Sequence, residues 1–337
     1  MLRYIINRIL WMIPVLLGVL LIVFALSAVA PGDPVDAILG PDAPIEDRIA
    51  KREELGLNDP FIVRYVRYVK DLVTKGDFGT SYQTGRPVLS ELITRFPNTL
   101  KLTFWAVLVA LIIGIPLGTI AAIKQYSAVD NASMVFALFG VSVPQFWFAL
   151  MLILIFSIKL QWVPSIVMGN SIAEWILPVA MVGIGNVGMI ARTTRSSMLE
   201  VIRQDYIRTA RAKGQTETKV IFGHALRNSL IPVAATLGNT MAASLGGSII
   251  AESIFSVNGV GLYMLNSINA SNWPSVEGGL LFLAIVFSLV MLFIDLLYAV
   301  IDPRLKDEFE AKSKMAANRR RIKKEARQAK QAAGQGV

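Results

Sequence analysis

LTFWAVLVALIIGIPLGTIAAI, residues Leu102 to Ile123, contains no charged side chain. A helix rises about 1.5 Å per residue, so about 20 residues of this kind cross the hydrocarbon core of a bilayer. Five more runs read the same way: Ile9–Ala30, Asn131–Ile158, Trp175–Ala191, Asn228–Ala251 and Gly278–Ile301, the last interrupted only by Asp295. Trp175–Ala191 is short alone, and the apolar stretch from Ile172 extends it. Composition agrees, because only 17% of the 337 residues are charged, against about 25% in a soluble domain. The pattern predicts an all-α, polytopic membrane protein with six transmembrane helices. The chain has no cysteine, which excludes disulfides, thiolate metal sites and cysteine nucleophiles.

The first run is too long for the apolar core of a signal peptide, about 7–15 residues, and it lacks a convincing small-x-small cleavage site before Pro31. It is expected to be a retained helix, residues 1–30. An even number of spans places both termini on one side, and that side carries 22 of the 33 Lys and Arg residues. By the positive-inside rule the termini and the loop 192–227 are cytoplasmic. The long segment after the first helix, up to Lys101, has ten basic and eleven acidic residues. Long loops are translocated largely regardless of charge, so this balance is no obstacle to an outer location. An extracytoplasmic region over 31–94 is therefore expected, then a membrane core over 95–302 and a basic cytoplasmic tail over 303–337.

The outer region is expected to be a small helical unit. Pro31-Gly32-Asp33-Pro34 is turn chemistry. Phe61, Tyr65, Tyr68, Val69 and Leu72 recur at helical spacing, which suggests a lid packed on the outer ends of the spans, or a docking surface, or both. In the basic loop, Asp205, Tyr206, Ile207, Arg208, Thr209, Ala210, Arg211, Ala212 and Lys213 read as a short helix stopped at Gly214. Asp205 is placed to cap its amide end, and Lys213 suits the negative end of the dipole. Thr209, Ala210, Ala212 and Gly214 are small, which permits close approach to another surface. A solvated loop that merely obeys the positive-inside rule is the plainer reading.

Arg203 to Pro232, RQDYIRTARAKGQTETKVIFGHALRNSLIP, closely resembles the cytoplasmic signature loop of type I ABC importer permeases, and more narrowly that of the dipeptide/oligopeptide permease family. The general signature is Glu-Ala-Ala, three residues, then Gly. Here Ala210 and Gly214 match, while Arg208 and Thr209 stand where Glu and Ala are usual; the peptide branch commonly has Arg-Thr-Ala. Other stretches agree in order: Pro31 to Pro34, GDFGTSY (Gly76 to Tyr82), RFPNTLKL (Arg95 to Leu102), ESIFSVNGVG (Glu252 to Gly261, with Val257-Asn258 in place of Trp-Pro), Asp295 to Tyr298, and Asp302-Pro303-Arg304. The resemblance covers roughly residues 1–306 and implies a division of labour. The chain would be half of a heterodimer with a related permease. It would bind no cofactor itself, with ATP and magnesium on two ABC ATPase subunits that receive the segment Asp205–Gly214. An extracytoplasmic substrate-binding protein would deliver the solute, in a bacterial cell membrane. Related permeases move dipeptides, oligopeptides, glutathione, nickel complexes or sugars.

Rival classes have little to build on. The phosphate-binding pattern G-x-x-x-x-G-K-[ST] is absent. Gly183 to Gly188 spells G-x-G-x-x-G, but inside an apolar span, where small residues serve close helix packing. The single histidine, His224, lies in the coupling-type loop, and no H-E-x-x-H or G-x-S-x-G occurs. A free-standing secondary transporter or channel would want ionisable residues at mid-membrane. Asp295 is the one intramembrane charge, near the cytoplasmic end of the last span, and Arg8 is its expected partner. Gln145, Asn186 and Asn239 are amides in or beside spans and are candidates for a wet translocation path. The tail from Lys306 to Lys330 has the composition of a basic helix on anionic lipid or on the ATPase, or of a solvated tail without a dedicated role.

Overall fold

The computed structural model describes residues 2–30, 32–40, 42–169 and 171–301. Pro31 of the first turn motif, the Asp302-Pro303-Arg304 motif and the basic tail lie outside the described residues. Twelve α-helices occur among them: α1 (Leu2–Val29), α2 (Pro34–Leu39), α3 (Ile45–Glu54), α4 (Phe61–Lys75), α5 (Val88–Ile123), α6 (Ala128–Ser142), α7 (Gln145–Leu152), α8 (Ile172–Ile202), α9 (Asp205–Ala212), α10 (Leu226–Ile254), α11 (Val260–Asn269) and α12 (Trp273–Ile301). Wider π-helical turns extend α7 over Ile153–Lys159 and lead into α10 over Lys219–Ala225.

The protein is an all-α polytopic membrane protein. Five of its helical segments are long and apolar enough to span: Ile5–Val29, Val88–Ile123, Ile172–Ile202, Lys219–Gly246 and Trp273–Leu296. The run Asn131–Ile158, expected as one helix, bends by 104° between α6 and α7, so that it is a broken span or a re-entrant loop. The physical reason is Pro144: its ring disfavours helical geometry in the preceding residue, and Val143 sits at φ −75°, ψ 131°. Prolines inside α1, α5, α8 and α10 leave those helices continuous. α5 starts at Val88 and runs unbroken past residue 95.

α8 is the central helix, packed against α5, α6 and α10. Its contacts are backbone-close. A Cβ on Gly118 would lie 2.3 Å from the Ala191 carbonyl oxygen, one on Gly188 2.3 Å from that of Ala137, and one on Gly140 2.6 Å from that of Ile184. Gly188 thus belongs to a packing seam, and Gly185 lies 3.4 Å by the same measure from the Gly140 carbonyl. The same seam is locked at one end by a charge pair. Arg195 Nε and Nη2 donate to the two oxygens of Asp130 at 2.6 and 2.7 Å, and the Tyr126 amide donates to Asp130 at 3.0 Å.

α4 packs as a lid. Phe24 of α1 meets the rings of Phe61, Tyr65 and Tyr68 edge-on at 6.5, 5.7 and 5.3 Å, and Val69 and Leu72 join the same cluster with Leu20 and Leu281. The Tyr65 hydroxyl donates to the Leu17 carbonyl at 3.0 Å. Before it, Asp33 caps α2 by accepting from the Val35 amide at 3.0 Å and pairs with Arg52 and Arg48. Burial opposes ionisation of Asp33, but the Val35 amide and the two guanidiniums outweigh it and hold its carboxyl below the usual range. At the other end of the bundle, Arg8 Nη2 lies 3.0 Å from Asp295 Oδ2.

Breaking a buried pair leaves one charge uncompensated, whereas replacing both partners by apolar residues is often neutral. Asp130→Ala should therefore destabilise the protein by about 3 kcal/mol, read as unfolding in mixed micelles. Asp130→Leu combined with Arg195→Met should recover most of that loss.

Candidate functional site

The helix expected over Asp205–Lys213 is α9, Asp205–Ala212, and it is fixed to its own chain. Ile207 and Ala210 are buried in a cluster with Ala122, Met198, Val220, Ile221 and Ala225. This corrects one expectation: Ala210 is small because it packs inward on the permease, not because it meets an outside surface. A second correction concerns the start. Gln204 is the cap and no side chain caps the amides, while Asp205 is the first helical residue and its carboxylate sits in the first turn, where the dipole still favours it. Lys213 is the C-terminal cap residue, and its amide donates to the Thr209 carbonyl at 3.0 Å. Gly214 follows at φ +76°, a left-handed conformation that resists side chains, although no atom lies near its missing Cβ.

The opposite face is exposed: Asp205, Tyr206, Arg208, Thr209, Arg211, Ala212 and Lys213. Tyr206 accepts a hydrogen bond from Asn228 Nδ2 at 2.8 Å, and Arg211 forms a fork on Glu217 at 3.0 and 2.6 Å. The Arg211 guanidinium holds the Glu217 carboxyl below the usual range. His224 Nε2 is 2.7 Å from Gln215 Oε1, so the histidine tethers the segment after α9. The result is a short basic helix, rigidly mounted on the ends of α8 and α10, with one face open.

The three path candidates have different settings. Asn186 of α8 donates to Ser244 Oγ of α10 at 2.9 Å. Gln145, at the start of α7, is exposed and lines a cavity of about 10 Å³ with Gly140 and Gly185. Asn239 is exposed on α10. Among the described residues no group of His, Asp and Glu is placed to hold a metal ion.

At the end of the bundle away from α9, the structure brings three sequence motifs together. Glu252 of ESIFSVNGVG is fully buried. Its carboxylate accepts from Thr99 Oγ1 of RFPNTLKL at 2.7 Å and from the Leu262 amide at 2.9 Å. Thr99 in turn accepts from the Val260 amide at 2.9 Å, and Asn98 Nδ2 donates to the Asn258 carbonyl at 2.9 Å. A Cβ on Gly259 would stand 2.4 Å from the Glu252 carboxyl, so only glycine leaves room for the carboxylate. The turn closes without Trp-Pro, through Ser256 at φ +54° and a hydrogen bond that the Val257 amide donates to the Glu252 carbonyl at 2.9 Å. GDFGTSY joins from the other side of α11: Asn272 accepts from the Tyr82 amide and donates to Ser81 Oγ, both at 2.9 Å. The sequence reading found these motifs but not their mutual contact. A carboxylate at the end of an apolar run, followed by Gly-x-Gly, was the available signal.

Thr99→Val removes a hydroxyl that serves both Glu252 and Val260. Each buried polar group left without a partner costs about 1–3 kcal/mol. The variant should melt at a clearly lower temperature in detergent, and Thr99→Ser should retain most of the stability.

Comparison with known proteins places this geometry. Residues 114–307 match the family described as binding-protein-dependent transport system inner membrane component, and residues 1–103 match its N-terminal membrane component model. The chain is 42% identical over 333 residues to the dipeptide transport system permease protein DppB of Alkalihalophilus pseudofirmus, covering 91% of this chain and 100% of that one. It is 39% identical to the glutathione transport system permease protein GsiC of Salmonella paratyphi A (91% and 99% covered). It is 37% identical to the oligopeptide transport system permease protein AppB of Bacillus subtilis (91% and 100%). Among solved structures, the inward-facing MetNI methionine ABC transporter aligns with a TM-score of 0.55 at 18% identity, covering 62% of this chain and 95% of that one, a likeness of fold. The chain belongs to the binding-protein-dependent transport system inner membrane component family.

Proposed function

We propose that this chain is one transmembrane subunit of an ATP-driven importer for dipeptides or oligopeptides. The observation that carries the reading is similarity, over 91% of this chain, to dipeptide and oligopeptide permeases. In this reading the bent pair α6–α7 counts as one span, giving six, with both termini cytoplasmic. A related permease supplies the other half of the path, two ABC ATPase subunits bind ATP and magnesium, and an extracytoplasmic binding protein delivers the solute. Glutathione is a second reading, supported by the 39% identity to GsiC. Isothermal titration of the cognate binding protein with di- and oligopeptides and with glutathione separates the two.

Coupling follows from the mounting of α9. Its exposed basic face, Arg208, Thr209, Ala212 and Lys213, docks in a groove of the ATPase, where charge complementarity sets orientation more than affinity. Its buried face, Ile207 and Ala210, binds it to the ends of α8 and α10. Movement of the ATPase is then passed to the spans as a rigid-body rotation. Gln145, Asn186 and Asn239 are assigned to the path as polar groups that a hydrated solute can displace or replace.

Two outcomes test this. Single cysteines replacing Asp59 and Lys219 should react with an impermeant reagent from opposite sides of the membrane, the chain having no native cysteine; labelling from one side contradicts the topology. In proteoliposomes holding the complete transporter, Thr209→Trp should abolish most solute-stimulated ATP hydrolysis and transport while the subunits stay assembled. Gly214→Val should impair both by imposing about 1–2 kcal/mol of left-handed strain. Ion-gradient-driven uptake by this chain reconstituted alone would instead support a free-standing carrier.

A further inference from the structure

We propose that a groove between α5 and α8 holds one anionic phospholipid, its phosphate on Lys101 and an acyl chain along Trp105, Ile172, Ile176 and Val179. The groove has a volume of about 300 Å³ and is almost wholly apolar apart from Lys101. Its depth in the bilayer is fixed by the sequence. Lys101 is the last charge before the uncharged run Leu102–Ile123, and Trp175 opens the run Trp175–Ala191. Lysine and tryptophan together at the start of two spans mark the membrane–water interface. Placing that interface in the outer leaflet rests on the topology proposed above; the groove itself does not.

The walls are made for hydrocarbon. Ile172 is 85% exposed, Ile176 47% and Trp105 46%. Exposed side chains of this kind at membrane depth need acyl chains or another subunit against them. The charge argues for a headgroup. Lys101 Nζ sits 4.1 Å above the centre of the Trp175 ring, and no described carboxylate forms an ion pair with it. The nearest acidic residue in sequence to Trp175, Glu174, is turned away: its Oε2 accepts from the Met168 and Gly169 amides at 3.1 and 2.6 Å. The lysine is thus a cation without a counter-ion at headgroup level, stacked on a ring that fixes its position. A phosphodiester with a net negative charge supplies both an anion for Lys101 and chains for the groove.

Native mass spectrometry of the assembled transporter, titrated with phosphatidylglycerol and with phosphatidylcholine of matched chains, tests the proposal. One molecule of phosphatidylglycerol per complex should be retained preferentially. Lys101→Gln should weaken it about fivefold, the worth of one lysine near an anionic lipid surface; Lys101→Arg should retain it. Equal retention of the two lipids, or no effect of Lys101→Gln, overturns the headgroup assignment. A second arm tests the occupant. Ile172→Cys in the assembled transporter should react with a membrane-soluble maleimide in phosphatidylcholine discs and be protected as phosphatidylglycerol is added. Protection without anionic lipid means that another subunit covers the groove, and the lipid site is then wrong.

Discussion

Backbone-to-backbone contact along α8 sets the positions of the other elements. In hydrocarbon there is no hydrophobic drive to bring helices together, so they associate through surface fit and polar ties. Gly118, Gly140 and Gly188 let carbonyl oxygens of neighbouring helices approach to distances that a methyl group would forbid. α5 and α6 are thereby held against α8, and α10 against its remaining side. Two further elements, α9 at one end and the α11 turn at the other, hang on the ends of this seam.

Polar ties then fix what the seam leaves free. Asp130 with Arg195 joins α6 to α8, and Glu252 with Thr99 joins α10 to α5. Asp130 is buried with a guanidinium partner and several hydrogen bonds, the condition under which a buried charge is tolerable. Glu252 is fully buried with its carboxyl oxygens hydrogen-bonded within the chain. Such contacts have discrete rather than graded arrangements. In the proposed coupling, a rotation imposed on α9 by an ATPase subunit would reach the spans as movement of packed units.

Much of this was legible in the sequence. Uncharged length marked the five continuous spans and the extent of the bent pair, and the period of Phe61, Tyr65, Tyr68, Val69 and Leu72 marked the packed face of α4. What escaped has physical reasons. The bend at Pro144 lies inside an apolar run that hydropathy alone cannot divide. The inward direction of Ala210 depends on which neighbour fills the space beside it, and small size is compatible with either side. Thr99 and Glu252 are separated by a long stretch of chain, and only the folded bundle makes them neighbours. Arg8 with Asp295 was accessible because an intramembrane charge demands a partner at the same depth, and few candidates exist.

The central claim is that the exposed face of α9 receives a second protein while its buried face is held by the spans. A photo-activated cross-linker replacing Arg208 in the complete, transport-active assembly tests it most directly. The account predicts a covalent product with an ATPase subunit from Arg208, and none from the same group placed at Gln83 on the α4–α5 connection. An active assembly in which Arg208 yields no ATPase product would contradict it.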